Sequence, residues 1–265
     1  MFDRLIKHQP SIFYGVPTLY VAMLAATDLP KQSQVALRLC TSAGEALPRE
    51  IGEKFSAHFG CDVLDGLGST EMLHIFLSNR LGQVRYGTTG TPVPGYDMEL
   101  RDELGHAVSV GNVGDLYIKG PSAAHLYWTD RAKSIATFQG PWVKSGDKYS
   151  IDEEGYYIYA GRSDDMLKVS GQYVSPIEVE SALMGHDAVL ECAVVGKSDS
   201  QGLVKTIAYV VLRDSSHDTS TMEIELKSFV KTRLAPHKYP REIVFVSDLP
   251  KTATGKIQRF RLREL

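Results

Sequence analysis

Apolar residues recur four apart in "PREIGEKFSAHFG" (48–60), where Ile51, Phe55 and Phe59 fall on one face. That spacing predicts an amphipathic helix with Pro48 in its first turn. Strand-like "ALRLCTS" precedes it and "CDVLDGLGS" follows it. The β–α–β order predicts a mostly parallel sheet. From about residue 82 glycines and prolines punctuate short alternating runs such as "GTPVPGYDMELRDELGHAV", with "DELG" and "DEEG" as turns. This predicts antiparallel sheet or a small barrel. Beyond "GRSDDMLK" the texture becomes α+β. Ser175–Pro176–Ile177–Glu178 has capping-box spacing with Pro at the first helical position, and Gly185 is a stop. Ser220 and Glu223 repeat the cap ahead of a helix with Met222, Leu226, Phe229 and Val230 on one side. Strands are expected at 189–195, 205–212 and 242–246. The fold class is therefore α/β and α+β: an incomplete α/β layer over 1–86, a small β-barrel over 87–163, and a C-terminal α+β domain over 164–265.

Composition narrows the function classes. Of 265 residues, 43% are hydrophobic, enough for one large core or two smaller ones. A net charge of −3 advertises no nucleic-acid or anionic-lipid surface. No apolar stretch approaches the roughly 20 residues of a membrane span. "MFDRLIKHQPSIF" has mixed charge and no apolar run ending at a cleavage site, so no secretory signal is read there. Cys40, Cys61 and Cys192 are widely spaced, in no CxxC pattern, and read as buried reduced thiols of a cytoplasmic protein.

Several stretches carry chemistry. In "LDGLGSTEM" (64–72) a strand ends in Asp65, Gly66 and Gly68 let backbone approach a ligand, and Ser69–Thr70–Glu71 set hydroxyls beside a carboxylate. A hydroxyl on phosphate and a carboxylate on Mg²⁺ is one reading; a turn with Ser69 or Thr70 as N-cap is the other. "TSAGEALP" (41–48) follows a strand with small residues against which a planar base could lie, or is a tight strand-to-helix turn. Asp147 of "WVKSGDKY" could accept hydrogen bonds from both ribose hydroxyls, or sit in a surface turn. Arg162, Asp164, Asp165 and Lys168 cluster in "GRSDDMLKVSGQYVSPIEVE" (161–180), as metal ligands, a catalytic dyad or a polar hinge. Lys256 lies in the Thr/Gly turn "TATGKIQRF" (252–260), either a solvated tail residue or the partner of an anion.

The order SAGEALP, GLGSTEM, GDLYIKG, SGDKY, GRSDDMLKVSGQYVSPIEVE and PKTATGKIQR resembles the adenylate-forming superfamily of acyl-CoA ligases, luciferases and peptide-synthetase adenylation domains. The resemblance spans essentially the whole chain. It implies that a carboxylate is activated with Mg²⁺-ATP to an acyl-adenylate and then passed to a thiol, that of coenzyme A in most members. At the matching positions, Gly44, Glu45, Ala46, Asp65 and Gly66 would lie along adenine. Thr70 would bind the α-phosphate, Glu71 the Mg²⁺ and Asp147 the ribose. Arg162 would contact ribose or phosphate, Asp164 would be the hinge, and Gly171 would line the pantetheine tunnel. Lys168 would reach the acyl-adenylate in the second pose. Lys256 matches the adenylation lysine, a positioned cation at the crowded negative charge of the transition state. Residues 1–163 would be the C-terminal part of the large AMP-binding domain and 164–265 the small one.

"FYGVPTLY" (13–20) and "STEMLHIFLSN" (69–79) look most like benzoate–CoA ligases, with Tyr14, Gly15, Gly68, His74 and Ile75 around the ring of an aromatic carboxylate. His74 would hydrogen-bond a ring substituent or pack as core. Two departures stand out. Tyr173 replaces an arginine many relatives carry. The early Ser/Thr/Gly-rich loop ending in Pro-Lys, which cradles the outer phosphates, is absent; "YGTTGTPVPG" (86–95) follows the STE motif and has Val93 where the lysine would be. Roughly the first half of a full-length ligase is therefore expected upstream of Met1, with self-association or a missing N-terminal half as partner. An adenylation domain loading a carrier protein, and a non-catalytic AMP- or aryl-adenylate-binding remnant, stand as alternatives.

Overall fold

The computed structural model describes residues 1–265 except 170–171, 199–203, 215–217, 253–256 and 265. The chain divides into two units, Met1–Tyr159 and Ala160–Leu265.

The first unit opens with α1 (Phe2–His8), β1 (Ile12–Gly15) and α2 (Pro17–Ala25), then β2 (Leu39–Ala43), α3 (Arg49–Phe59) and β3 (Asp62–Gly68). Helix α3 forms where the four-residue spacing predicts it, and Ile51, Phe55 and Phe59 are buried. Each such side chain contributes about 2 kcal/mol. Pro48 is the N-cap rather than a first-turn residue, and Gly60 ends the helix at φ 67°. Phe55 packs edge-on to Tyr20 of α2 at 4.8 Å. Strands β1, β2 and β3 are parallel, with Gly15 opposite Ser42 and Ser42 opposite Asp65. The parallel run stops there: β4 (Ile75–Ser78) and β5 (Thr91–Pro92) add antiparallel strands, giving the order β1-β2-β3-β4-β5.

Residues 91–92, expected in the barrel, thus belong to the first sheet. The chain passes Gly90 (φ 90°) so closely to Ser78 that a Cβ there would lie 2.1 Å from the Ser78 carbonyl oxygen. The "GTTGTP" run therefore has a structural reason for its glycine. The second sheet comprises β6 (Asp97–Arg101), β7 (Gly114–Lys119), β8 (Phe138–Gln139) after the short α4 (Arg131–Thr137), β9 (Trp142–Ile151) and β10 (Tyr157–Arg162). Its order is β10-β9-β7-β6, with β8 on β9, so among the described strands the expected barrel is an open half-barrel. The two predicted turns are twins. Asp102 Oδ1 accepts from Leu104 and His106 N–H, as Asp152 Oδ1 does from Glu154 and Tyr156, while Gly105 and Gly155 take φ 86°. Phe76 and Leu77 of β4 share one core with Leu116, Ile118, Val143 and Tyr149 of the second sheet.

The second unit contains the antiparallel pair β11 (Leu167–Val169) and β12 (Gln172–Val174), then α5 (Pro176–Met184), β13 (Val189–Ser198), β14 (Val204–Leu212), α6 (Thr219–Lys231), β15 (Glu242–Phe245) and α7 (Arg259–Glu264). Strand β14 pairs antiparallel with β13 and parallel with β15. The Ser175 hydroxyl accepts from Glu178 N–H at 3.1 Å, with Pro176 at the first helical position. Helix α6 starts earlier than its sequence suggests. Asp218, not Ser220, is the cap, because its carboxylate accepts from both Ser220 and Thr221 N–H, and Glu223 pairs with Lys227 at 2.7 Å instead. Buried Glu180 on α5 ties three elements together: it accepts from Val194 N–H at 2.7 Å and from the Arg259 guanidinium of α7 at 2.7 Å.

Candidate active site

Three parallel strands end together. The register sets Tyr14–Gly15 of β1, Thr41–Ala43 of β2 and Leu64–Gly66 of β3 side by side, so the segments leaving them share one sheet edge. The carboxyl ends of parallel strands are where α/β sheets bind ligands. Tyr14 is 76% exposed there. Gly15 is required because a Cβ would lie 2.8 Å from the Tyr20 ring, whose hydroxyl donates to Thr41 O at 2.6 Å.

After β2 the chain turns at Gly44 (φ 93°) into half-buried Glu45 and Ala46. Beside this turn Asp65 is buried, with Leu47 N–H 3.5 Å from Oδ2. Burial pushes the Asp65 carboxyl up to about 7, against the pull of that N–H. Asp65 Oδ1 and the neighbouring Ser42 Oγ are buried without a hydrogen-bond partner among the described residues. Buried polar atoms in folded chains nearly always have a hydrogen-bond partner, so these two stand out.

Farther along, Gly66 and Gly68 are close-approach positions: a Cβ on Gly68 would lie 2.7 Å from the His74 carbonyl oxygen. Ser69 precedes a single 3₁₀ turn, Thr70–Met72, and its side chain makes no capping bond, so the capping reading of this stretch fails. Thr70 is exposed and Met72 buried. Leu73 then takes φ 71°, ψ −47°, closing a γ-turn in which His74 N–H donates to Met72 O at 2.9 Å. That conformation is strained for a non-glycine residue.

Glu71 is held from two sides. Its main-chain oxygen accepts from Ala124 N–H at 2.7 Å, and its Oε1 accepts from the Tyr127 hydroxyl at 2.5 Å. Partial burial alone would raise the carboxyl. The Tyr127 and Ser69 hydroxyls, its own N–H and the Lys133 charge outweigh this and hold it below the ordinary range. No cluster of three acidic, His or Cys side chains able to hold a metal ion occurs among the described residues.

His74 Nδ1 carries a proton, because its partner at 2.7 Å is the Ile75 carbonyl, which only accepts. Its Nε2 lies 3.3 Å from the Tyr96 hydroxyl, which is 2.7 Å from Ser122 Oγ; Ser122 in turn donates to Met72 O. Because the one Ser122 hydrogen goes to Met72 O, the Tyr96 hydroxyl donates to Ser122 and Nε2 keeps its lone pair beside the phenol oxygen. Half-buried Ile75 pairs with Gly68 across β3 and β4. Asp147, on β9, is buried, follows Gly146 at φ 79°, and its N–H donates to Ser145 Oγ at 3.0 Å. Buried Tyr149, 3.2 Å from Thr89 Oγ1, is raised by its burial and also by the charges of Asp147 and Asp65, so both carboxyls stand near one phenol.

In the second unit, exposed Arg162 pairs with Asp164 at 3.4 Å, and Asp165 pairs with Arg263. Exposed Lys168 sits 5.8 Å from the ring of Tyr173, its cross-strand partner. Gly171 and Lys256 lie outside the described residues. The flanks of Lys256 are pinned: Lys251 bridges Ile257, Gln258 N–H donates to Pro250 O at 2.8 Å, and Arg259 pairs with Glu180. The structure therefore brings together Tyr14, Gly15, Gly44–Ala46, Asp65–Glu71, His74 and Ile75. The sequence reading missed Tyr127, Tyr96 and Ser122, which come from segments 22 to 56 residues away from the groups they hold.

Two family models cover most of the chain: AMP-binding enzyme over residues 1–128 and AMP-binding enzyme C-terminal domain over 178–256. A benzoate–CoA ligase of Thauera aromatica is 61% identical over 264 residues, 99% of this chain and 50% of that protein. The solved benzoate CoA ligase of Burkholderia xenovorans LB400 superposes with a TM-score of 0.94 at 68% identity, over 99% of this chain and 53% of that one. An anthranilate CoA ligase solved with anthranoyl-AMP gives 0.92 at 46% identity, over 98% and 50%. The chain spans about half the length of the curated relatives it matches. With both family modules in order and the motif-bearing strands ending at one sheet edge, the chain belongs to the adenylate-forming AMP-binding enzymes.

Proposed function

We propose that this chain carries nucleotide-, metal- and acyl-binding parts of an aryl-CoA ligase of the benzoate–CoA ligase type. The observation that carries the reading is 61% identity to such a ligase over nearly every residue described above. The reaction has two steps. A carboxylate oxygen of an aromatic acid attacks the α-phosphorus of ATP, giving an aryl-adenylate and pyrophosphate. The thiol sulfur of coenzyme A then attacks the acyl carbon, giving the thioester and AMP.

In this reading Gly44, Glu45, Ala46 and Gly66 flank adenine, and the orphaned Asp65 Oδ1 accepts from its exocyclic amine. Asp147 takes the ribose hydroxyls, Thr70 the α-phosphate, and Arg162 the ribose or phosphate. Glu71 fits Mg²⁺ as a lone ionised carboxylate, since Mg²⁺ is commonly held by one or two carboxylates plus substrate phosphates. Bound there, the ion would neutralise phosphate charge. Tyr14, Gly15, Gly68, His74 and Ile75 wall the ring. His74 Nδ1 is committed to the Ile75 carbonyl, and Nε2 faces the Tyr96 hydroxyl at 3.3 Å. Lys256 supplies the cation for adenylation. Asp164 is the hinge between 1–163 and 164–265, and Lys168 and Gly171 serve the thioester step. Helices long and apolar enough to cross a membrane are absent among the described residues. Three free, buried cysteines, two with Sγ atoms 3.8 Å apart and unbridged, support a cytoplasmic location. The open edge of β1, beside exposed Tyr14, supports self-association or pairing with a further segment.

The test is ATP- and benzoate-dependent formation of benzoyl-CoA by the chain, with Lys256→Ala as control. Product lost in the variant, by about a hundredfold or more, supports the ligase reading. AMP binding with no product favours a binding protein without turnover. Transfer to a carrier protein but not to coenzyme A would make it a loading domain.

A further inference from the structure

The run Ala124–Asp130 is exposed at every position except Tyr127, which turns inward. Helix α4, which follows it, buries none of its residues, so core packing does not explain either segment. What they do is converge on one side chain. Tyr127 N–H donates to Ser134 Oγ at 2.9 Å, and Ser134 donates to Asp130 O at 2.6 Å. Asp130 caps α4 by accepting from Lys133 N–H. The Lys133 ammonium lies 4.2 Å from the Tyr127 ring centroid, and Phe138 packs on that ring at 5.3 Å. The chain accepts a left-handed non-glycine residue, Thr129 at φ 59°, to make the reversal that brings this about. The outcome is a phenol held by contacts to its ring and at its own backbone, pointing its hydroxyl at Glu71 Oε1, while Ala124 of the same run fixes the Glu71 main chain.

We propose that Tyr127, clamped by α4, is a positioning residue that holds the Glu71 carboxylate in its metal-binding rotamer, with Oε1 committed to the phenol. The inference rests on the assignment of Glu71 as the Mg²⁺ ligand. A cation against the ring polarises the phenol O–H, so the bond to an anionic acceptor is stronger than one between neutral groups. A carboxylate fixed in this way loses less conformational freedom when it binds a cation. Partners of metal ligands commonly contribute ten- to a hundredfold in metal affinity.

The experiment is calorimetric titration of the chain with ATP, with and without Mg²⁺, and with AMP in the absence of metal. Wild type, Tyr127→Phe, Lys133→Met and Glu71→Gln are compared, with melting temperatures alongside. Tyr127→Phe is expected to lose about tenfold of the Mg²⁺-dependent gain in ATP affinity. Its metal-free AMP affinity should stay at wild type, with a melting temperature lowered by no more than the loss of one charge-assisted hydrogen bond explains. Lys133→Met, which keeps the phenol, loses about twofold. The inference is overturned if Tyr127→Phe keeps the full gain that Glu71→Gln abolishes, or weakens metal-free AMP binding equally. A wild-type chain with no metal-dependent gain overturns the Glu71 assignment itself, and this inference with it.

Discussion

Asp65 and Glu71 stand six residues apart where β3 gives way to the following turn, and their surroundings push the two carboxyls in opposite directions. Asp65 is buried deeply enough that the loss of water outweighs the weak pull of Leu47 N–H, the Ser42 hydroxyl and Gly66 N–H, and it is driven up to about 7. Glu71 is only partly buried, receives a phenol hydroxyl at 2.5 Å, and stays ionised below the ordinary range. Deep burial that outweighs weak donors stores a proton; strong donors without deep burial hold a charge. In the proposed reading, this strand end is divided into an inner place for a neutral, hydrogen-bonding base and an outer place for a cation and phosphates. Opposed carboxyl environments of this kind are how neighbouring groups come to take different roles.

The comparison breaks first on stability against pH. Between about pH 4 and 7 the folded chain keeps a proton on Asp65 that the unfolded chain releases. The Asp65 contribution is therefore fully present below the ordinary carboxylate value and is lost as pH rises through about 7. The size of the shift corresponds to about 4 kcal/mol. Urea midpoints across this range should fall with rising pH in the wild type and flatten in Asp65→Asn. Glu71 has the opposite sign: its stabilisation is present above the ordinary glutamate value and is lost as pH falls below it.

Next in size is Glu71→Gln, which removes the outer charge and leaves the inner carboxyl alone. About a hundredfold loss of Mg²⁺-dependent ATP affinity is expected, with metal-free AMP binding intact. Equal loss with and without metal would show that the two places are not separate. Gly68→Ala sits between them and should cost about 2 kcal/mol of stability, measured by denaturant midpoint, because its Cβ meets the His74 backbone at 2.7 Å. The smallest effect is expected from Tyr96→Phe, at about 1 kcal/mol, through the lost contacts to His74 and Ser122.

Local chemistry was legible in the sequence, and that covered much of the fold. The Ile51–Phe55–Phe59 spacing set α3, the flanking apolar runs set β2 and β3, and Asp-x-x-Gly marked both half-barrel turns. Near-equivalent local choices were not legible. Asp218 displaced Ser220 as a cap because a carboxylate accepts two N–H groups at once, and β5 joined the first sheet through a close approach at Gly90. At the candidate site, motif order placed Asp65 and Glu71 on one strand end but said nothing of their opposed environments. Those environments depend on Tyr127, 56 residues away, and on a hydroxyl at Ser42 left without a partner among the described residues. No periodicity or spacing encodes either.

The central claim is that this strand end receives an adenosine nucleotide, with Asp65 against the base. Titration calorimetry of AMP binding at pH 7, repeated in buffers of different ionisation enthalpy, tests it directly. An amine donating to Asp65 favours the ionised carboxyl, so binding should release about half a proton per nucleotide. Asp65→Asn should abolish that release. Binding with no proton released, or release unchanged in Asp65→Asn, would contradict the placement of the base. No binding at all would contradict the site.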